Sequence, residues 1–377
     1  MRVVIATDSF KGSLSSLEVA QAVERALLSA IPGVQVSIVP MADGGEGTVE
    51  ALAHTIPGRW VTCQAAAPLP GLPEVDARYW LSSEGSTALI EVAEASGLTL
   101  VPHHVRDVMH ASTLGTGQVV ADALERGCRH IVLGLGGSAT CDAGMGIMAA
   151  LGVEFLDEDG LLLMPCGESL GKVARIDAEG VGLEARALSF TLLSDVNAPL
   201  AGPQGAACVF APQKGATPEQ VHRLDDGLRR FARVAGCRCV QRPGMGAAGG
   251  IAMGLSALWP CELLPGCDYI LRQAHFEQLL EDCDLVVTGE GRLDAQTLMG
   301  KAPAAVLRAA QRHKVPVLAV CGSMDEQTQV ACMPFAAVCR ATPSGMPLQQ
   351  ALQPSVARRN IEAAVVSWLS HRTPARE

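Results

Sequence analysis

Short apolar runs alternate with amphipathic stretches along the chain, and the alternation predicts an order of elements before any chemistry is considered. Residues 2–7, RVVIAT, form a compact apolar run suited to a buried strand. Residues 16–30, SLEVAQAVERALLSA, place Val19, Val23, Ala26, Leu27 and Ala30 on one helical face, with Ser15 and Glu18 spaced as a capping box in front. A second strand, VQVSIVP (34–40), closes on Pro40, and 47–55 reads as helical. The C-terminal part repeats the rhythm. DLVVTG (284–289), VPVLAVCG (315–322) and FAAVCRA (335–341) predict strands. PAAVLRAAQRH (303–313), with Pro303 in its first turn, and SVARRNIEAAVVSWL (355–369) predict helices. Strands separated by helices make one doubly wound parallel sheet, whose halves are the two ends of the chain.

The section between reads differently. A Pro-rich passage, APLPGLPEV (67–75), opens it, followed by strands near 76–81 and 86–93 and a helix at 116–126. HIVLGLG (130–136) predicts a strand, a helix starts near 142, and SFTLLSD (189–195) and GAACVFAP (205–212) predict further strands. This is a second α/β domain inserted into the first. The expected division is 1–60 plus 270–377 for the split domain and 61–269 for the insertion, with the active site in the cleft between them. No repeat with a period of 20–50 residues interrupts the pattern.

Composition sharpens the picture. With 377 residues the chain is too long for one ordinary core. It is 49% hydrophobic but only 3% aromatic, so the cores are built from Ala, Val, Leu and Ile, which suits parallel strands and helices. A net charge of −10 argues against nucleic acid or an anionic membrane as partner. No apolar run reaches the length of a membrane span. The 13 cysteines include no C-x-x-C pair and the N-terminal apolar run is too short for a signal peptide, so reduced thiols and a cytoplasmic location are expected. Of 29 basic residues only five are lysines, and Lys11, Lys214 and Lys301 lie in the polar contexts SFKGS, PQKGA and MGKAP.

The loops after the predicted strands share a chemistry. DSFKGS, MADGGEGT, GGSATCDAG, DVNAPLAG and GEGRLDAQTLMGK combine Gly, acids and small hydroxyls, with Lys in two of them. In open α/β sheets ligands bind beyond the carboxyl ends of the strands. Consecutive glycines let backbone N–H groups approach an anion, lysines and arginines neutralise phosphate, and carboxylates hold Mg²⁺ together with phosphate oxygens. Together these residue types are suited to phosphoryl transfer. No P-loop is present, and GLGGSA (134–139), which fits a dinucleotide fingerprint, is matched by GMGAAG (244–249) with no strand before it.

The blocks TDSFKGSLSS (7–16), MADGGEGT (41–48), GGSATCDAG (136–144), APQKGA (211–216), GAAGG (246–250) and TGEGRLDAQTLMGK (288–301) occur together and in order. This set resembles the bacterial glycerate kinases that phosphorylate D-glycerate with ATP. The resemblance implies two α/β domains, one of them flavodoxin-like, with Mg²⁺ as cofactor and 2-phosphoglycerate as product. It places Asp8, Ser9, Lys11, Asp43, Glu46, Asp195, Glu290, Arg292 and Asp294 in the family's cleft motifs. Gly136, Gly137, Ser138 and Asp142 form the expected nucleotide-side loop, with Lys214 and Lys301 assigned to the same ligand. Two positions depart from the family pattern: Thr7 stands where Pro is usual, and Ala198 stands in SDVNAPL where Asn is usual.

On this reading Lys11 and Arg292, with Asp8 and Ser9 beside them, bind glycerate or the transferring phosphoryl group. Asp43 or Asp195 accepts the proton of the attacking hydroxyl, and Glu46, Glu290 or Asp294 holds Mg²⁺. Each carboxylate also has a plain structural reading as a helix cap or Asx-turn. Three rival functions are another small hydroxy-acid kinase on the same scaffold, a nicotinamide-dependent dehydrogenase using GLGGSA, and a non-enzymatic sugar-acid sensor.

Overall fold

The computed structural model describes residues 1–238, 240–294, 297, 301–324 and 334–372. The chain divides into two compact units: Met1–Asp43, Glu50–Ile56 and the chain from Cys267 onward, and Gly44–Val49 with Pro57–Gly266. Strands β1 (Arg2–Thr7) and β2 (Gln35–Ile38) belong to the first unit. The second holds β3 (Gly58–Ala65), β4 (Val75–Ser82), β5 (Thr87–Glu91), β6 (His130–Gly134), β7 (Glu154–Leu156), β8 (Arg175–Asp177), β9 (Ser189–Leu193) and β10 (Cys261–Leu264). The first unit resumes with β11 (Leu285–Leu293), β12 (Val317–Met324) and β13 (Ala337–Arg340).

In the first unit the sheet order is β13-β12-β11-β1-β2, with every neighbouring pair parallel. Counted along this unit alone the order is 5-4-3-1-2, the flavodoxin-like doubly wound arrangement, and it reverses between β1 and β11. Val3 pairs with Leu285 and Thr7 with Gly289, so the two chain ends meet in the centre of the sheet. β1 is buried over Val3–Thr7, as a strand covered on both faces must be.

The helix Ser16–Ala30 begins at a complete capping box: the Ser15 hydroxyl accepts from Glu18 N, and the Glu18 carboxylate accepts from Ser15 N at 2.9 Å. It buries Val19, Val23, Ala26 and Leu27, whereas Ala30, in its last turn, is exposed. The C-terminal helix Pro354–Arg372 packs beside it, with Ile361 and Val365 in the same apolar cluster and Arg25 paired to Glu362 at 2.7 Å.

The second unit is built on a six-stranded sheet ordered β10-β9-β6-β5-β4-β3. It is parallel from β10 to β5 and antiparallel through β4 and β3. Its core gathers Tyr79, Ile90, Ile131, Leu133, Phe190 and Leu192, and Phe155 packs on Phe231 with ring centroids 5.8 Å apart. Among the described residues no helix is long and apolar enough to cross a membrane.

Three expectations need correction. The strand expected at 205–212 is the helix Ala206–Phe210 followed by the 3₁₀ turn Pro212–Lys214. Its alanines favour a helical turn, and Gly205 leaves no room for a Cβ, which would come 2.5 Å from the backbone of Ala201. The strand expected to end at 289 continues to Leu293, so Glu290 and Arg292 are ladder residues opposite Cys321 and Ser323 and not loop residues. The third is an omission. β3 escapes the pattern because exposed Arg59, Trp60 and Thr62 dilute its alternation, and the helix Pro218–Val234 went unread although Thr217, Pro218 and Gln220 signal its start.

Because Ser15 and Glu18 satisfy two otherwise unpaired N–H groups, Ser15→Ala is expected to lower stability by about 1 kcal/mol while leaving turnover unchanged. The shift in urea midpoint at constant slope measures it.

Candidate active site

In a doubly wound sheet the ligand crevice opens where the strand order reverses, here at the carboxyl ends of β1 and β11. Asp8 directly follows β1. Its N–H continues the ladder to the carbonyl of Gly289 at 2.8 Å, and its Oδ1 accepts from Ser9 N at 2.6 Å. Asp8 is only 6% exposed, and burial, reinforced by the charge of Asp43, pushes its carboxyl up to about 7. The Ser9 amide and Lys11 oppose that rise.

The segment after β2 runs along the end of β1, with Val39 N donating to Ile5 O at 2.8 Å and Met41 N to Thr7 O at 3.0 Å. The Cys267 thiol donates to the carbonyl of Ala42 at 3.3 Å. Asp43 is thereby delivered beside Lys11, whose Nζ lies 3.6 Å from Oδ2 and whose pKa that carboxylate raises.

Glu290, also 6% exposed, accepts from Thr297 Oγ1 at 2.5 Å and lies 3.8 Å from Lys301 Nζ. Burial raises its carboxyl against the pull of Thr297 and Lys301. Arg292 projects two residues on, on the same side of the strand, and is exposed. Asp294 closes a turn with Thr297, its N–H donating to Oγ1 at 3.0 Å. The first unit thus brings together Asp8, Lys11, Asp43, Glu290, Asp294 and Lys301 as one electrostatic cluster.

The second unit shapes the loop after β6. Gly136 N donates to Gly44 O at 3.0 Å, and a Cβ on Gly136 would lie 2.3 Å from Gly45 Cα. Gly44, at φ +84°, would place a Cβ 2.8 Å from the carbonyl of Leu193. Gly44 and Gly136 are therefore demanded by backbone packed on backbone at the ends of β6 and β9. Gly137 is exposed, and Ser138 is buried against Lys214. The Lys214 ammonium donates to Ser138 Oγ at 2.9 Å and to Thr140 O at 2.7 Å. Burial depresses it to about 8, although Cys141 and Asp142 pull the other way.

With that geometry in place the comparisons with known proteins can be read. The glycerate kinase family profile matches residues 3–370. The chain belongs to the glycerate kinase family. A glycerate kinase of Halalkalibacterium halodurans is 40% identical, over 97% of this chain and 98% of its own. A glycerate 2-kinase of Escherichia coli is 40% identical over 88% and 87%. A Salmonella typhimurium crystal structure described as a glycerate kinase 2 superposes with a TM-score of 0.86 at 38% identity, covering 98% of both chains. The resemblance carried by the loops is thus a family membership, and its members are phosphotransferases.

Several residues expected at the family's site have structural partners of their own. Asp142 is fully buried and accepts from Thr113 N and Oγ1 at 2.8 Å, Gly144 N at 3.1 Å and Gly146 N at 3.3 Å. Four donors saturate its oxygens, so it anchors the loop that the sequence assigns to the nucleotide. Asp195 Oδ1 accepts from Gly266 N at 3.0 Å, at the start of the helix Gly266–Gln273. Lys301, expected with the nucleotide, pairs with Glu290 in the first unit. Glu46 is exposed on its loop in the second unit, apart in the chain's division from Glu290 and Asp294. Among the described residues no three His, Cys, Asp or Glu side chains gather as a metal cage.

At the Ala198 departure the main-chain carbonyl accepts from Gly244 N at 3.1 Å and Gly246 N at 3.0 Å, bonds that do not depend on the side chain. Sequence reasoning missed Glu91, a buried acid at the end of the apolar strand TALIE that accepts from the amides of Gly47 and Val49. An acid in so apolar a run was the available signal.

The Asp8 carboxyl lies near 7 in the folded chain against about 3.8 for an ordinary aspartate. The folded state therefore holds this proton more tightly, and the stability it confers is complete below about pH 4 and lost as pH rises through about 7. Asp8→Asn, which never ionises, is expected to be more stable than the parent by about 2–4 kcal/mol at pH 8 and nearly equal to it at pH 4. Denaturation at the two pH values measures this, and an equal difference at both would remove the assignment.

Proposed function

We propose that the protein transfers the γ-phosphoryl group of ATP to D-glycerate, forming 2-phospho-D-glycerate. The observation that carries this reading is the pair of buried carboxylates Asp8 and Glu290 at the ends of β1 and β11, with Lys11 and Lys301 beside them. A fold does not bury like charges together for stability; perturbed carboxyls in a crevice are the mark of a working site.

Phosphoryl transfer asks the protein chiefly to position groups and to stabilise charge. Lys11 and Arg292 take the glycerate carboxylate and the transferring group. Asp8 and Asp43 stand beside the attacking hydroxyl, and Asp8, with its carboxyl near 7, is suited to accept its proton at physiological pH. Asp195 is better read as the anchor of Gly266. The Gly136–Ser138 turn faces the nucleotide, and Lys214 acts through Ser138, which it holds.

Glu290 and Asp294 are the residues that would hold Mg²⁺, with Glu46 as a third candidate. A site of one or two carboxylates fits an ion that fills its shell with phosphate oxygens and water. When bound, the ion would offset the charge of the phosphates. The eleven cysteines counted free among the described residues support a reducing compartment, and we place the enzyme in the cytoplasm.

A nicotinamide reading loses its motif, because Gly136 in GLGGSA uses its missing Cβ to admit Gly45 and not a pyrophosphate. A kinase for another small hydroxy acid shares every motif and is separated by assay. With ATP, Mg²⁺ and D-glycerate the protein is expected to release ADP, and phosphorus NMR is expected to show a 2-phosphate. A 3-phosphate overturns the regiochemistry, and turnover confined to a different hydroxy acid moves the substrate. Asp8→Asn is expected to lower kcat about 10²–10⁴-fold and to abolish the rising limb of kcat/KM near pH 7. Retention of that limb would return the proton to Asp43.

A further inference from the structure

We propose that Glu91 is a positioning residue for phosphoryl transfer, holding the backbone of the Gly44–Val49 loop and thereby fixing Glu46. The inference rests on the kinase reading given above. Glu91 is the last residue of β5 and is 6% exposed. Its Oε1 accepts from Val49 N at 2.8 Å and its Oε2 from Gly47 N at 3.4 Å. One carboxylate thus takes the amides on either side of Thr48.

The side chain does not cap its own helix. Glu91 occupies the N-cap position of the helix Val92–Ser96, yet makes no capping bond to it and reaches across to a loop more than forty positions earlier in the chain. Space for it is provided by Gly134, its ladder partner on β6, where a Cβ would come 3.4 Å from Glu91 Cγ.

Stability of the loop alone does not account for the arrangement. The helix that the clamp starts, Thr48–Ala53, has six residues, and a Ser or Asp within the loop would cap it without burying a charge. The loop is also imperfect by its own measure: the buried Thr48 hydroxyl has no hydrogen-bond partner among the described residues. What the clamp does achieve is a fixed backbone beneath Glu46. That side chain is exposed and makes no hydrogen bond or ion pair among the described residues, so the two amides held by Glu91 are what restrain its loop from below. Gly44, lodged on Leu193, and Gly136 N, bonded to Gly44 O, hold the other end of the loop.

Glu91→Gln tests this, because an amide turns one acceptor into a donor that faces a backbone N–H. With the fold retained by circular dichroism, amide exchange at Gly47 and Val49 is expected to accelerate about 10-fold or more in the ligand-free protein, while β5 is unaffected. With D-glycerate, ATP and Mg²⁺, kcat is expected to fall about 10–100-fold, with KM for ATP changed less than about threefold. Adding Glu46→Gln to Glu91→Gln is expected to reduce kcat by less than a third of the factor it removes from the parent.

A kcat within about twofold of the parent, or a strictly additive double variant, overturns the proposal. If Glu91→Gln does not fold, Glu91→Asp replaces it, keeping the charge but shortening the reach. Faster exchange at Gly47 and Val49 with a lower kcat then supports the clamp, and parental values of both overturn it. Failure of the parent protein to phosphorylate D-glycerate would instead overturn the kinase reading, and the exchange data would still report on the clamp.

Discussion

Two carboxylates buried at the ends of neighbouring parallel strands set the terms for the first unit. Asp8 and Glu290 are each about nine-tenths covered and each raised by burial, and the charge of Glu290 adds to the rise at Asp8. The parallel pairing of β1 with β11 forces them together, since the register that joins Thr7 to Gly289 also brings the residues that follow to the same edge. The surrounding chemistry answers that constraint. Lys11 comes with the turn after β1, Lys301 precedes the helix Ala302–Arg312, and Thr297 donates into Glu290. The apolar cluster that includes Val3, Ile5, Val287 and Val320 offsets the cost of that buried charge. Destabilising charge at the site and hydrophobic burial below it are the usual division between activity and stability.

The second unit uses a different economy. The loops after β6 and before Thr48 are shaped by backbone contact, with Gly44 against Leu193 and Gly136 against Gly45. Where it does bury charge, the charge is satisfied at once: Asp142 by four donors, Lys214 by Ser138 and Thr140, Glu91 by two amides. The first unit gathers carboxylates that burial raises, Asp8 and Glu290, and the second holds buried charges whose hydrogen bonds fix loop shape.

This contrast explains what could be read from the sequence. The helix Ser16–Ala30 and the strand Arg2–Thr7 were legible to the residue, because capping and apolar period are local. The split sheet was legible because strands and helices alternate at both ends. The cleft motifs were legible as a set, because small and charged residues cluster after strands. Individual roles were not. Asp142 looks the same in sequence whether it meets a ligand or Thr113, and only its burial decides. Lys301 reaches Glu290 only because β11 runs four residues past Gly289. Glu91 acts on residues more than forty positions away, beyond any local pattern. The strand expected at 205–212 failed because an Ala-rich apolar run has no period to separate strand from helix.

The insertion has a consequence for how the protein is made. β1 and β2 leave the ribosome early, but β1 is the inner strand of its sheet and its second neighbour, β11, follows some 280 positions later, as in the bond from Thr288 to Ala6 across 282 residues. At about 5–20 residues per second that partner arrives roughly 15–60 seconds after β1 is synthesised. Meanwhile the contiguous stretch Pro57–Gly266 already contains every strand of the six-stranded sheet. The N-terminal strand pair must therefore wait with one edge of β1 unpaired until β11 is made.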